Sequence, residues 1–157
     1  ERGRDTQELP ASLRRQRQML VRDRGWERNR AFWQAAKESE FVMPRWAGCE
    51  RYVWYPEEQC PHCGAGDVLW VQVEGRGLLF SWAEVRHPLH PPYKNQLPYI
   101  TGIVALEVDP RVHYVTLIVE CTTSELAIEM PMEAVYRDLS FHEVEGAVVA
   151  PVFRPVA

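Results

Sequence analysis

The alternation of apolar and polar residues changes character along the chain. From Leu13 to Glu40 the apolar positions follow helical spacing. Trp26, Arg30, Trp33 and Lys37 fall at i, i+4, i+7 and i+11, with Phe32 and Ala36 beside that stripe. This predicts an amphipathic helix from Asn29 to Ser39 and a weaker one from Leu13 to Arg22 that needs a partner to be stable. Beyond residue 66 the period shortens towards two. Val68, Trp70, Val71 and Val73 predict a strand over Asp67–Val73, Gly75-Arg76-Gly77 a turn, and Leu78–Val85 a second strand pairing with the first as a hairpin. Further strands are expected over Tyr99–Val108 and Val112–Cys121, parted by Asp109-Pro110-Arg111. Two more are expected over Met130–Tyr136 and Val148–Phe153.

Two stretches have no period. His87 to Pro98 contains Pro88, Pro91, Pro92 and Pro98, and loops this long in a small domain are often functional. Met43 to Gly66 is rich in turn residues and holds three of the four cysteines. The fold class expected is mainly β: an N-terminal helical arm over 1–42, a small unit over 43–66, and a five- to six-stranded barrel over 67–157. Short turns and no strand–helix alternation favour a barrel over a sandwich. Gly75 and Gly77 would permit the close backbone approach that a small barrel requires.

Composition narrows the function. Of 157 residues, 46% are apolar and 25% charged, enough to build a core. The net charge of −4 hides an asymmetry. Residues 1–30 carry nine Arg against five acids, and the other 127 carry nine basic side chains against 17 acidic ones. The cationic start is either a solvated arm or a tail that docks on an acidic or phosphate-bearing partner. The acidic remainder argues against a nucleic-acid binder. No apolar run approaches the ~20 residues of a membrane span, and no charged-then-apolar leader is visible, so a cytoplasmic protein is expected.

The cysteines carry the clearest chemistry. Cys60-Pro61-His62-Cys63-Gly64 has the shape of a zinc knuckle: two thiolates three residues apart can face one ion, and glycine suits the left-handed turn that follows. Cys49, 11 residues upstream of Cys60, is a third ligand. A second knuckle would begin at position 46, which is Trp46. The fourth ligand is then His62, another histidine or water. Alternatively the metal is absent, and Trp46, Tyr52, Trp54 and Tyr55 hold the unit by packing. A redox Cys-x-x-Cys is disfavoured, because the motif leads into a strand and not a helix. Cys121 reads as a core residue.

The order of these features resembles the acyl-CoA-associated OB-fold family once called domain of unknown function 35. The residues that carry the resemblance are Ala31-Phe32-Trp33-Gln34-Ala35, Cys60-Pro61-His62-Cys63-Gly64, Trp70 to Gly77, Phe80-Ser81-Trp82, Pro98-Tyr99, Met130-Pro131-Met132 and Pro151-Val152-Phe153-Arg154-Pro155, spanning residues 29 to 157. The resemblance implies a rubredoxin-like zinc ribbon followed by an OB-fold barrel, with structural zinc on Cys49, Cys60 and Cys63. It also implies an accessory subunit of thiolase-fold acyl-CoA enzymes: thiolases, hydroxymethylglutaryl-CoA synthase systems and the aldolases of steroid side-chain degradation. Trp46 departs from the family pattern at the first cysteine. No catalytic constellation assembles from His62, His87, His90, His113 and His142. A partner interface is expected at Trp26, Phe32 and Trp33, and a ligand or partner loop at His87, His90, Tyr93, Lys94 and Tyr99. The competing readings are an OB-fold nucleic-acid binder, a stand-alone zinc enzyme and a structural domain cut from a longer multidomain enzyme.

Overall fold

A computed structural model describes residues 28–87, 96–140 and 147–156. The chain divides into two compact units, Glu1–Arg30 and Ala31–Ala157. The expected helix over Leu13–Arg22 and the site residues Trp26, His90, Tyr93 and Lys94 lie outside the described residues. Among the described residues, no helix is long and apolar enough to cross a membrane.

Helix α1 spans Arg30–Lys37, inside the expected range. Ala31, Ala35 and Ala36 are strong helix formers, and Lys37 lies in the last turn, where the helix dipole favours a cation. The helix ends where Ser39 turns left-handed (φ 59°). There the Ser39 N–H reaches the Ala36 carbonyl at 3.1 Å and the Glu40 N–H reaches the Ala35 carbonyl at 2.9 Å. This paired closure satisfies carbonyls that the helix leaves over, and it turns the chain so that Phe41 enters the core.

Two sheets follow. Strand β1 (Val42–Trp46) pairs antiparallel with β2 (Val68–Gln72), from Val42 opposite Gln72 to Trp46 opposite Val68. The expected hairpin between Asp67–Val73 and Leu78–Val85 is therefore incorrect. The first run belongs to the ribbon sheet, and the second belongs to a different sheet. Residues 73–75 pass between sheets rather than reversing within one. The alternation of Val68 to Val73 is that of a strand with one packed face, and it cannot say which partner covers that face.

The second sheet is a closed five-stranded barrel in the order β3-β4-β5-β7-β6. Its strands are β3 (Arg76–Val85), β4 (Tyr99–Leu106), β5 (His113–Ile118), β6 (Pro131–Ser140) and β7 (Ala147–Pro155). All neighbours are antiparallel except β5 and β7, which meet in parallel at Ile118 and Phe153. Gly77 works as expected: a Cβ there would lie 2.4 Å from the Ala105 carbonyl oxygen, so β3 can approach β4 this closely at position 77 only without a side chain. A Cβ on Gly75 would meet that of Ala134 at 2.6 Å.

The core joins all these parts through rings. Phe41 packs edge-on to Tyr114 and to Phe153 at centroid distances of 5.6 and 5.8 Å. Phe32 of α1 lies 6.3 Å from Phe41 and 4.7 Å from Trp54 of the ribbon, and Trp54 lies 5.2 Å from Tyr114 of the barrel. Burial pushes the Tyr114 hydroxyl far above its ordinary pKa, so this cluster stays uncharged.

Candidate metal centre and outer barrel face

The thiols of Cys49, Cys60 and Cys63 converge, with their three Sγ atoms within 4.8 Å of one another. Cys49 Sγ and Cys60 Sγ are 3.6 Å apart. Three thiolates held tetrahedrally at ~2.3 Å from zinc would sit about 3.8 Å apart, so the donor set fits a structural zinc ion. The ion would tie residue 49 to the turn over 60–63.

The turn itself is set by the backbone. Gly64 adopts φ 74°, as its place after the knuckle predicts, and its N–H reaches the Cys60 carbonyl at 2.9 Å. The His62 N–H points at Cys60 Sγ at 3.4 Å. Burial raises the Cys60 thiol, but the N–H groups of His62 and Cys63 and the neighbouring thiols outweigh it and hold this thiol below its usual pKa. For Cys63 the balance reverses. An N–H bond from Ala65 favours the thiolate, yet desolvation and the two nearby cysteines leave the group raised. Among the described residues, no histidine, aspartate or glutamate joins the three sulfurs. His62, expected as a possible fourth ligand, contributes its backbone and not its ring.

The other expected site residues are scattered. Phe32 is 1% exposed and lies inside the aromatic cluster, so it cannot present itself to a partner as expected. Helical spacing identified the stripe correctly, but the ribbon and barrel between them cover more aromatic area than a small barrel alone would. Trp33 is half-buried against the same cluster. His87 is exposed just beyond β3. Tyr99 opens β4 and lines a cavity of about 450 Å³ with Glu84, Leu117, Glu120 and Cys121. Cys121 lies past the end of β5, half-buried, and not within a strand as expected.

Two features went unpredicted. Arg154, in the terminal Pro-Val-Phe-Arg-Pro segment, donates to Glu133 at 2.8 Å and to Glu120 at 2.7 Å, and Arg137 also pairs with Glu120. The other is an outward apolar strip on the barrel. Leu78, Ala105 and His113 lie side by side across β3, β4 and β5, as do Ser81, Ile103 and Val115. The register shifts between Leu79 and Ser81, and the Phe80 ring in that bulge packs against His113, tilted by 33° with centroids 4.4 Å apart. Leu78, Phe80 and Val115 are 46%, 52% and 63% exposed. A sequence signal was present: in Leu78-Leu79-Phe80, three successive apolar residues cannot all face inward in a strand.

With the geometry established, comparison with known proteins identifies the architecture. Residues 33–68 match the family model "ChsH2, rubredoxin-like zinc ribbon domain", and residues 70–137 match "ChsH2, C-terminal OB-fold domain". A probable enoyl-CoA hydratase alpha subunit of Thermomonospora curvata is 34% identical over 129 residues; the match covers 82% of this chain but only 38% of that relative. A DUF35 domain-containing scaffold protein of Methanocaldococcus jannaschii is 26% identical, over 87% of this chain and 95% of its own length. Among solved structures, a chain of the Ltp2-ChsH2(DUF35) aldolase superposes with a TM-score of 0.66 at 30% identity, covering 81% of this chain and 93% of that one. With its ribbon, its closed barrel and its convergent thiols in this order, the chain belongs to the DUF35 family, in which a rubredoxin-like zinc ribbon precedes an OB-fold barrel.

Proposed function

We propose that this chain is a non-catalytic accessory subunit that docks on a thiolase-fold acyl-CoA enzyme, a retro-aldol lyase or thiolase of the kind that acts in steroid side-chain degradation, and completes it. The observation that carries the reading is the shared fold along nearly the whole of a chain from an aldolase, at 30% identity. The scaffold relatives point the same way.

The outer barrel face supports it physically. Contiguous exposed apolar area is a mark of protein contact, and aromatic residues concentrate in interface cores. Phe80 of β3 and Val115 of β5 are exposed on either side of β4, with His113 against the Phe80 ring. Trp33 and the segment from His87 to Tyr99 are further candidate contact regions. An oligonucleotide-binding role fits less well, because residues 31–157 carry an acidic excess where single-strand binding needs a basic groove.

The test is a binding titration against the cognate thiolase-fold enzyme. Phe80→Asp with Val115→Asp should weaken the heteromer by about tenfold or more, the scale of losing an interface hot spot, while leaving the melting temperature unchanged. Trp33→Ala is measured in parallel. Unchanged affinity in both variants would remove the support for these faces, and no heteromer with the unaltered chain would defeat the reading itself.

A further inference from the structure

The ribbon contains the same backbone device twice, carrying different side chains. In the first copy, the Cys60 N–H donates to the Ala65 carbonyl at 2.8 Å, and the Cys60 carbonyl accepts the Gly64 N–H at 2.9 Å. In the second, the Trp46 N–H donates to the Arg51 carbonyl at 2.9 Å, and the Trp46 carbonyl accepts the Glu50 N–H at 2.8 Å. Each copy ends on a left-handed residue, Gly64 at φ 74° and Glu50 at φ 58°. Glu50 holds a conformation that costs a side-chain-bearing residue about 1 kcal/mol or more, so the surrounding hydrogen bonds enforce the turn. The two copies also touch: a Cβ on Gly48 would lie 3.1 Å from Cys63 Sγ.

This correspondence makes Trp46 the structural equivalent of Cys60, and Cys49 the equivalent of Cys63. The knuckle was kept and its first sulfur replaced by an indole that is 1% exposed. The aromatic ring fills interior volume, which explains why the turn survives without the thiol. It offers no lone pair to a metal, since the indole nitrogen is a donor only. Zinc with three protein ligands takes a fourth from solution. Around the three sulfurs, Ala47, Gly48, His62, Cys63 and Gly64 are all exposed, so a small molecule can reach the ion.

We propose that the ribbon is a three-thiolate metal site with one exchangeable coordination position, taken by a small monodentate donor such as water or a thiol, and that Trp46, in place of a fourth cysteine, makes it so. The inference stands independently of the proposed partner enzyme. Zinc bound by three thiolates has a net charge of about −1, against about −2 with four, so an incoming sulfur donor meets less repulsion than at a closed four-thiolate site.

Cobalt(II) substituted into the full chain provides the readout, because its sulfur-to-metal absorption reports the number of thiolates. The unaltered chain should show a three-thiolate spectrum that shifts when 2-mercaptoethanol is added. Trp46→Cys should show a four-thiolate spectrum that 2-mercaptoethanol does not move. Trp46→Phe, which keeps the apolar filling, should behave as the unaltered chain. If Trp46→Cys does not fold, the titration of the unaltered chain decides alone. A spectrum of the unaltered chain that ignores the added thiol overturns the proposal. So does one that changes on His90→Ala or His142→Ala, because a histidine of the chain would then hold the fourth position.

Discussion

The ribbon and the barrel are both built of antiparallel strands, yet they are held by different forces. The ribbon has one two-stranded sheet, an arrangement marginal in water. It depends on what is added to it: three thiols that can share an ion, and aromatic rings shared with the barrel. The barrel closes on itself and leaves no strand edge unpaired over its paired length. Leu79, Val104 and Phe153 are wholly buried within it. Strand content alone therefore does not reveal what stabilises a β unit. The ribbon should respond to loss of its ligands, and the barrel to loss of packing.

The sharpest way to separate them is Cys60→Ser. Structural zinc in isolated fingers contributes an apparent ~10–16 kcal/mol, and that contribution should vanish from the ribbon. Zinc per chain by elemental analysis should fall from about one to near none. Near-ultraviolet circular dichroism of Trp46 and Trp54 should change while the barrel's amide protection persists. Simultaneous loss of both would mean that the two units are not held independently.

Next in size is Phe32→Ala. Because Phe32 joins α1 to the ribbon and to the aromatic face of the barrel, thermal unfolding of Phe32→Ala should show a global loss of about 3–5 kcal/mol. A loss confined to the ribbon would sharpen the division between units. Gly77→Ala acts inside the barrel alone. The new Cβ has a backbone oxygen 2.4 Å away and cannot be relieved by a side-chain move, so about 1–3 kcal/mol of destabilisation is expected in denaturant unfolding.

The smallest effect is acid dependence. Hydrogen bonding from Arg154, followed by the charges of Arg154 and Arg137, holds the Glu120 carboxyl below its ordinary value of 4.5. A lowered pKa stabilises the folded state above the ordinary value, and that stabilisation is lost as pH falls through the depressed one. Glu120→Gln should therefore flatten a slight fall in melting temperature below about pH 4.5. The group is exposed, so high salt should have the same flattening effect.

Much of this architecture was legible because it rests on local rules. Helical spacing located α1, the four-residue cysteine turn located the knuckle, and Gly77 marked the close approach of β3 and β4. Pairing across distance was not legible. Val68–Gln72 has one packed face, and whether β1 or β3 covers it depends on a chain path that no local pattern encodes. Phe32 illustrates the same limit, since its position on an apolar stripe is readable but what covers that stripe is not. The three sulfurs of the candidate site were legible from spacing alone. The equivalence of Trp46 and Cys60 became a backbone fact only through hydrogen bonds that the sequence does not display. The run Leu78-Leu79-Phe80 shows that some apolar residue must face outward, but which one does is set by the register shift between Leu79 and Ser81, which alternation does not encode.

Reconstitution with the cognate thiolase-fold enzyme tests the accessory role most directly, with complex mass followed by sedimentation and acyl-CoA turnover measured on the same samples. The expected result is a stable heteromer, turnover by the pair, and none by this chain alone. Turnover by this chain alone, or a chain that sediments as a free monomer beside its partner and leaves the partner's turnover unchanged, would contradict it.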